Sequence, residues 1–328
     1  MERLQEVNSK KANLTPPAES LVAEVACDYV TVELAGGYRG QARLFEARDA
    51  ERAVVYLHGI QSHGGWFLRS CDHLRRQGMT VLAPDRRGSG LNQTDRGHCD
   101  NPEQLLNDVD ACVNWLADHT GSKQVDLVAV SWSGKLALAY AARHVDKVRS
   151  LALVTPGLCA KVDISLREKI AVGVQGLVQP HKQHEIPLND PQLFTANPAM
   201  RRFIEQDPLK LTHATASFLV TSSRLDAAVR KTIWKVRAPV YLFLAELDRI
   251  IDNQATVKLL RPALRPIRQA PEPHATITCN STDEDAFPGP AALYWAAHHT
   301  LDFESDPQGF LADLCTALMN DPPASSLG

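Results

Sequence analysis

A serine at a turn between a strand and a helix has the clearest chemical meaning in this chain. Ser131 directly follows the apolar run VDLVAV (125–130), and a helical pattern begins just after Trp132. A serine presented on such a turn can act as an acyl-transfer nucleophile. The strained backbone there requires small residues two positions before and two positions after the serine. Ala129 and Ser133 meet that requirement, although neither is glycine.

Ser133 is the alternative nucleophile. Centring the turn on Ser133 would put Lys135 at a crowded position and would start the turn two residues too late. Ser131 is therefore preferred. The Trp132 N–H then lies at the N-terminus of the following helix, where a backbone donor can stabilise a negatively charged oxygen.

A second loop, HGIQSHGGW (58–66), follows the first apolar run of the chain. Acyl transfer needs two hydrogen-bond donors that point at one developing negative charge. The backbone N–H of Ile60 is the candidate for the second donor. His58 and His63 could be taken for metal ligands, but a role in ordering this loop is preferred.

Alternating strand and helix patterns predict the elements that must position these residues. Short aliphatic runs suit strands that are buried on both faces, and they occur at 53–58, 80–85, 125–130, 148–154 and 239–245. Helix-period segments lie among them at 67–78, 102–119 and 133–144. This alternation predicts an α/β fold with a mostly parallel, doubly wound sheet. Ligands bind beyond the carboxyl ends of such strands, which is where Ser131 falls.

Two segments depart from that alternation. Residues 28–35 and 41–47 alternate apolar and polar side chains around Gly36-Gly37, which predicts an antiparallel hairpin. Residues 157–236 carry apolar side chains at helical spacing, namely Ile170, Val174, Leu177 and Val178. We predict a polar N-terminal leader (1–27), an α/β core (28–156 and 237–322) and an inserted helical cap (157–236).

Three segments in the first half of the chain resemble one family. HGIQSHGGW (58–66), PDRRGSG (84–90) and AVSWSG (129–134) are similar to the monoacylglycerol lipase and lysophospholipase branch of the α/β-hydrolases, which is serine aminopeptidase-like. Order and spacing match over residues 53–156, and the strand at 239–245 extends the match. The cap is similar in position only.

The resemblance implies roles for individual residues. Ser131 would be the nucleophile, and the backbone N–H groups of Ile60 and Trp132 would form the oxyanion hole. Asp85 and Arg87, in DRRGSG, would be structural or loop-positioning residues. In this family an acidic residue follows the strand after the cap, which implies Asp248 as the acid that orients the imidazole.

Three histidines are candidates for the base, because the family has a histidine after the last strand. His299 is preferred, since ALYWAAHHTLDFE (292–304) resembles a last strand followed by a histidine, and a helical pattern comes directly after it. His274 has the more usual spacing after Asp248, but prolines surround it in APEPH. His298 is the third candidate. Asp252 is instead predicted to cap the next helix.

Composition and spacing exclude several other classes. The formal net charge of −3 gives no electrostatic basis for a nucleic-acid partner. The sequence predicts neither a membrane span nor a signal peptide, since it has no stretch of 18 apolar residues and its first residues lack an apolar core. Seven cysteines without a C-x-x-C spacing favour a cytoplasmic protein. Gly88-x-Gly90 lacks the context of a dinucleotide fingerprint, and His181-x-x-His184 lacks a third ligand. Neither a cofactor nor a metal is therefore predicted.

These features predict a serine hydrolase that cleaves carboxylic esters through an acyl-enzyme. It would be a carboxylesterase or a monoacylglycerol- or lysophospholipid-type lipase. An apolar acyl chain is expected, because aliphatic cap residues would line the entrance, and peripheral lipid contact through the cap is compatible with this. The alternatives are an aminopeptidase or an acyltransferase on the same fold, or a non-catalytic binding protein. Dehalogenases and epoxide hydrolases need an aspartate where Ser131 stands.

Overall fold

The computed structural model describes residues 25–162, 165–264 and 291–319. Ten strands lie in these ranges: β1 (Asp28–Leu34), β2 (Tyr38–Phe45), β3 (Arg52–Leu57), β4 (Met79–Pro84), β5 (Val125–Val130), β6 (Val148–Val154), β7 (Gln183–Glu185), β8 (His213–Thr215), β9 (Val240–Ala245) and β10 (Ala291–Tyr294). Eight of them form one sheet in the order β1-β2-β4-β3-β5-β6-β9-β10. The remaining two, β7 and β8, pair with each other.

Neighbouring strands run parallel from β4 through β3, β5, β6 and β9 to β10, whereas β1 and β2 are antiparallel to their neighbours. All six residues of β5 are buried, which agrees with its nearly continuous aliphatic sequence, and the one charged residue, Asp126, pairs with Arg149. Gly36 and Gly37 turn the β1–β2 hairpin with φ of 73° at both residues, a conformation that glycine adopts readily. The predicted fold class and the predicted hairpin are both confirmed.

Eight helices lie in the same described ranges: α1 (Leu68–Arg76), α2 (Pro102–Thr120), α3 (Ser133–Ala141), α4 (Leu166–Val178), α5 (Pro198–Gln206), α6 (Ala216–Thr232), α7 (Asn253–Leu260) and α8 (Gln308–Met319). Local sequence explains their ends. At the start of α2 the Asn101 side chain accepts a hydrogen bond from the Gln104 N–H, and at its end Gly121 adopts a φ of 70°. Asp252 caps α7 through the Ala255 N–H, as predicted.

The segment between β6 and β9 contains α4, α5, α6 and the β7–β8 pair. The predicted helix through Ile170 and Val174 is confirmed as α4. All four of its aliphatic side chains are exposed, Ile170 by 61%, Val174 by 56%, Leu177 by 81% and Val178 by 68%, and that they line the entrance stays a prediction. A helical period shows that a helix has an apolar face, but it does not show what covers that face.

In the ranges given above, no helix combines the length and the apolar character that crossing a membrane requires.

Candidate active site

Ser131 occupies the sharp turn between β5 and α3. Its φ is 54°, in the left-handed region that non-glycine residues seldom adopt. The turn is held by backbone hydrogen bonds, because the Ser131 N–H donates to the Val154 carbonyl and the Ser131 carbonyl accepts from Gly134 and Gly157. A Cβ atom on Gly134 would lie 2.7 Å from Pro156 Cβ, so only glycine fits at that position.

Ser131, His299 and Asp248 form one continuous chain of hydrogen bonds. The His299 Nε2 lies 2.8 Å from Ser131 Oγ, and the His299 Nδ1 lies 2.8 Å from Asp248 Oδ2. Asp248 follows β9 and His299 follows β10, so both come from carboxyl ends of parallel strands, like Ser131. An ionised carboxylate only accepts hydrogen bonds, which places the imidazole proton on Nδ1 and leaves Nε2 to accept the hydroxyl proton.

Ser133, the alternative serine, and His298, an alternative histidine, form hydrogen bonds with other groups. The Ser133 hydroxyl lies 2.9 Å from the Leu57 carbonyl and 2.9 Å from the Val130 carbonyl, which ties the turn to β3 and β5. The backbone N–H of His298 donates to Glu304 Oε1 at 2.8 Å, and its Nδ1 lies 3.3 Å from the same oxygen. His274 lies outside the described residues.

Two backbone donors flank Ser131. The loop after β3 passes beside Ser131, since a Cβ atom on Gly59 would lie 3.3 Å from Ser131 Cβ. The Ile60 N–H, on this loop, and the Trp132 N–H, at the start of α3, donate to no acceptor among the residues that the structure describes. Both donors therefore have hydrogen-bonding capacity to offer a ligand oxygen.

His58 and His63 bind protein groups of the loops around them. His58 Nε2 accepts a hydrogen bond from the Arg86 N–H at 2.8 Å, and burial lowers the pKa of His58 to about 3. His63 Nδ1 accepts from the Gly65 N–H, and its Nε2 lies 3.1 Å from Asp207 Oδ2. These contacts agree with the predicted loop-ordering role.

Asp85 and Arg87 each make buried polar contacts. The Asp85 Oδ1 accepts from Arg43 at 2.9 Å and from the Gly64 N–H at 2.7 Å. Burial alone would raise the pKa of Asp85, but the Arg43 charge, the neighbouring histidines and the Leu91 N–H together outweigh burial, and the pKa lies below its usual value. Arg87 forms a two-bonded pair with Asp108, at 2.9 Å and 2.7 Å. Both residues hold loops next to the site, as expected.

Arg86 is a residue of this site that sequence reasoning missed. Its Nη1 donates to the Gly59 carbonyl at 3.0 Å and its Nη2 to the Ile60 carbonyl at 2.9 Å. Its guanidinium carbon also lies 4.8 Å from the centre of the Trp132 ring system. Paired arginines usually indicate a solvated face, and nothing in the local sequence around Arg86 distinguishes it from that case.

The inserted segment contacts the site directly. Phe194 packs edge-on against His299 with ring centres 6.0 Å apart, and the Thr300 N–H donates to its carbonyl. The Trp132 indole N–H donates to Ser222 Oγ of α6 at 2.9 Å, and Lys135 Nζ donates to Asp226 of the same helix at 2.8 Å. These contacts place an aromatic, partly apolar wall beside the three hydrogen-bonded residues.

His181 and His184 of the H-x-x-H segment lie near the β7–β8 pair, and His184 belongs to β7. His181 stacks on His98 with ring centres 4.1 Å apart. Within the described ranges, no group of three or more His, Cys, Asp or Glu side chains has the geometry to hold a metal ion.

A mostly parallel sheet with a serine on the sharp turn after β5, an aspartate after β9 and a histidine after β10 is the arrangement of the α/β-hydrolase class. The family model described as serine aminopeptidase, S33, matches residues 48–270, which is more than half of the chain. The chain therefore belongs to this family of α/β-hydrolases.

Individual relatives are more distant. The chain is 38% identical to a pimeloyl-[acyl-carrier protein] methyl ester esterase of Chromobacterium violaceum over 103 residues, which is 31% of this chain and only 35% of that protein. It is 24% identical to a monoacylglycerol lipase of Mycolicibacterium smegmatis over 210 residues, or 62% of this chain and 72% of the lipase. The crystal structure of the monoacylglycerol lipase from Paleococcus ferrophilus superposes with a TM-score of 0.70 at 21% identity, covering 85% of this chain and 98% of that one.

Proposed function

We propose that this protein is a serine hydrolase that cleaves carboxylic esters through an acyl-enzyme. The observation that carries the proposal is the hydrogen-bonded chain from Ser131 Oγ through His299 to Asp248, next to two backbone N–H groups with no described acceptor. The named relatives, an ester esterase and a monoacylglycerol lipase, act on the same kind of bond. We take residues 157–236 as an inserted cap over this site.

The proposed reaction follows from the geometry. Ser131 Oγ attacks the ester carbonyl carbon while His299 Nε2 takes the hydroxyl proton, and Asp248 stabilises the imidazolium that results. The Ile60 and Trp132 N–H groups bind the oxyanion of the tetrahedral intermediate. As the intermediate collapses, His299 gives its proton to the leaving alcohol. Water then attacks the acyl-enzyme with His299 as base, which releases the acid and restores the serine.

An ester with an apolar acyl chain is the proposed substrate class. Phe194 packs against His299, and Leu158 is buried next to Gly157, whose N–H binds the Ser131 carbonyl. Such surroundings favour a hydrocarbon chain over a charged group. A monoacylglycerol or a lysophospholipid is the particular ester that we propose, on the resemblance and on the lipase among the relatives.

An aminopeptidase is the second candidate, because the family description names that activity. A peptidase of this kind would need cap carboxylates to hold the substrate amine. Glu168 instead completes a capping box with Ser165 at the start of α4, and the Glu185 carboxylate accepts a hydrogen bond from the Asn189 amide. Glu205 is exposed on α5. These positions favour an esterase.

The test is hydrolysis of p-nitrophenyl esters from acetate to palmitate, beside labelling with an active-serine phosphonate. Ser131→Ala and His299→Ala should reduce turnover to background, and His298→Ala is the matched control that should retain it. Loss of activity in His274→Ala alone would move the base to the segment outside the described residues. Wild-type protein that is labelled and cleaves aminoacyl amides, but hydrolyses no ester, would support the peptidase. Inertness in every assay would support a non-catalytic binding protein.

A further inference from the structure

The Gly59 carbonyl receives two hydrogen bonds from side chains. The first comes from His58, whose Nδ1 lies 2.8 Å from the Gly59 oxygen. Because His58 Nε2 accepts from the Arg86 N–H, the single proton of this neutral imidazole must be on Nδ1, and Nδ1 must donate. The second comes from Arg86 Nη1 at 3.0 Å.

This carbonyl belongs to the same peptide unit as the Ile60 N–H. A trans peptide is planar, so its carbonyl and its N–H point in opposite directions along nearly one line. Fixing the Gly59 carbonyl therefore fixes the direction of the Ile60 N–H. The other branch of the Arg86 fork holds the Ile60 carbonyl at 2.9 Å, which also restrains the next peptide unit. One guanidinium thus binds the carbonyls of both peptide units that adjoin the Ile60 Cα atom.

Arg86 also contacts the side chain of Trp132, whose backbone N–H is the second candidate oxyanion donor. Its guanidinium lies 4.8 Å from the ring centre of Trp132 and 5.1 Å from that of Phe218, and these two rings stack on each other. Burial lowers the pKa of Arg86 to about 10, so the group stays positively charged at neutral pH. A charge in a partly dry site acts more strongly on a developing oxyanion than the same charge in water.

We propose that Arg86 is a positioning residue of the oxyanion hole, which orients the Ile60 N–H through the Gly59 carbonyl and stabilises oxyanion charge beside Trp132. The proposal rests on the proposed ester hydrolysis. It assigns to Arg86 a role different from that of its neighbour Arg87, whose fork binds Asp108 and not the loop after β3.

The first test is the kinetics of Arg86→Met, which keeps a long apolar side chain but removes the fork and the charge. Removing an oxyanion donor costs about 10²–10³ in rate, and a misplaced donor should cost less, about 10- to 100-fold in kcat. KM should stay within about threefold, because the interaction forms fully only in the tetrahedral state. Arg86→Lys keeps the charge but cannot hold both carbonyls, so its kcat should lie between those of the wild type and of Arg86→Met.

The second test is binding of tetrahedral adducts. An alkyl trifluoromethyl ketone adds to Ser131 and forms an oxyanion, whereas the matching secondary alcohol binds without one. Arg86→Met should weaken the ketone by the same factor as kcat/KM and leave the alcohol unchanged. A purely structural role would weaken both ligands together.

Arg96→Met is the matched control, because Arg96 also donates to backbone carbonyls, those of Leu209 and Lys210, but far along the chain from Ile60. Its kcat should stay within about threefold of wild type. An Arg86→Met protein with wild-type kcat and ketone affinity would overturn the inference. If Arg86→Met does not fold, folded Arg86→Lys with unchanged ketone affinity would overturn it equally. Failure of the proposed function is distinct, because wild-type protein would then neither hydrolyse esters nor bind the ketone.

Discussion

Asp248 Oδ2 lies 2.8 Å from His299 Nδ1, across 51 residues of sequence. The other oxygen of the same carboxylate accepts hydrogen bonds from the Ile250 N–H at 2.8 Å and the Ile251 N–H at 3.0 Å. Two N–H groups of its own loop therefore fix the Asp248 carboxylate independently of its contact with His299. Such a carboxylate can fix one tautomer of the imidazole without rotating away.

Asp248→Asn tests this relationship. An amide nitrogen facing His299 would favour the wrong tautomer, so kcat for ester hydrolysis should fall by about 10³–10⁴ with the fold intact. The measurement is steady-state kinetics beside a thermal melt. Asp252→Asn is the control, since asparagine caps a helix as well as aspartate does and α7 should be unaffected. A loss below tenfold in Asp248→Asn would remove Asp248 from the mechanism.

Ser133→Ala separates the two serines of the turn. The Ser133 hydroxyl bonds the carbonyls of Leu57 and Val130 in the buried core, so its removal should lower the free energy of unfolding by about 1–2 kcal/mol. Ester hydrolysis should persist within about threefold in this variant, while Ser131→Ala should abolish it. Urea denaturation and the ester assay measure the two effects. Hydrolysis lost in Ser133→Ala but kept in Ser131→Ala would exchange the roles of the two residues.

Arg87→Met should act on stability and not on the chemical step. The Arg87 and Asp108 side chains are 8% and 9% exposed, and removal of the guanidinium would leave a buried carboxylate without its main partner. The expected loss in free energy of unfolding is about 3–5 kcal/mol. Arg143→Met, which breaks the exposed pair with Glu103, should cost less than about 1 kcal/mol. Equal losses in the two variants would contradict this prediction.

Asp302 should make stability depend on pH. Burial raises its pKa from 3.8 to about 6, and the Ser70 hydroxyl is bonded to its carboxyl. An acid whose folded pKa is raised contributes stability that is fully present below the unfolded pKa and is lost as pH rises through the folded pKa. From pH 5 to pH 8 this contribution should fall by about 1.4 kcal/mol.

Asp302→Asn removes that titration and keeps an acceptor for Ser70. Urea denaturation of both proteins at pH 5 and pH 8 should show the stability difference moving in favour of the variant at pH 8. A difference that is the same at both pH values would show that Asp302 has an ordinary pKa in the folded protein.

The sequence predicted a mostly parallel sheet, because alternating aliphatic runs and helical periods are local patterns. Nearly continuous aliphatic runs identify buried strands, and Ser131 and Asp248 follow two of them, β5 and β9. His299 was preferred over His274 on the pattern of the last strand and helix, and the observed β10 and α8 agree with that pattern.

Other features depend on contacts between distant segments and leave no local signal. Arg86 lies 27 residues from Gly59 in sequence, and only the parallel pairing of β3 with β4 brings the two loops together. The apolar face of α4 was predicted correctly as a helical pattern, but the direction of that face depends on tertiary packing. The role of Arg86 and the exposure of Val174 therefore required the structure.

Among the described strands, β10, which precedes His299, lies at one edge of the sheet, and β1 lies at the other. Within the described residues β10 is four residues long and pairs only with β9, whereas β5, which carries Ser131, has a partner on each side. Short strands at a sheet border open at lower cost than central ones. Opening of β10 would separate His299 from Ser131 while the other seven strands of the sheet stay paired. The temperature at which ester turnover is lost would then report the opening of this one edge strand. It would be lower than the melting temperature that spectroscopy gives for the whole sheet.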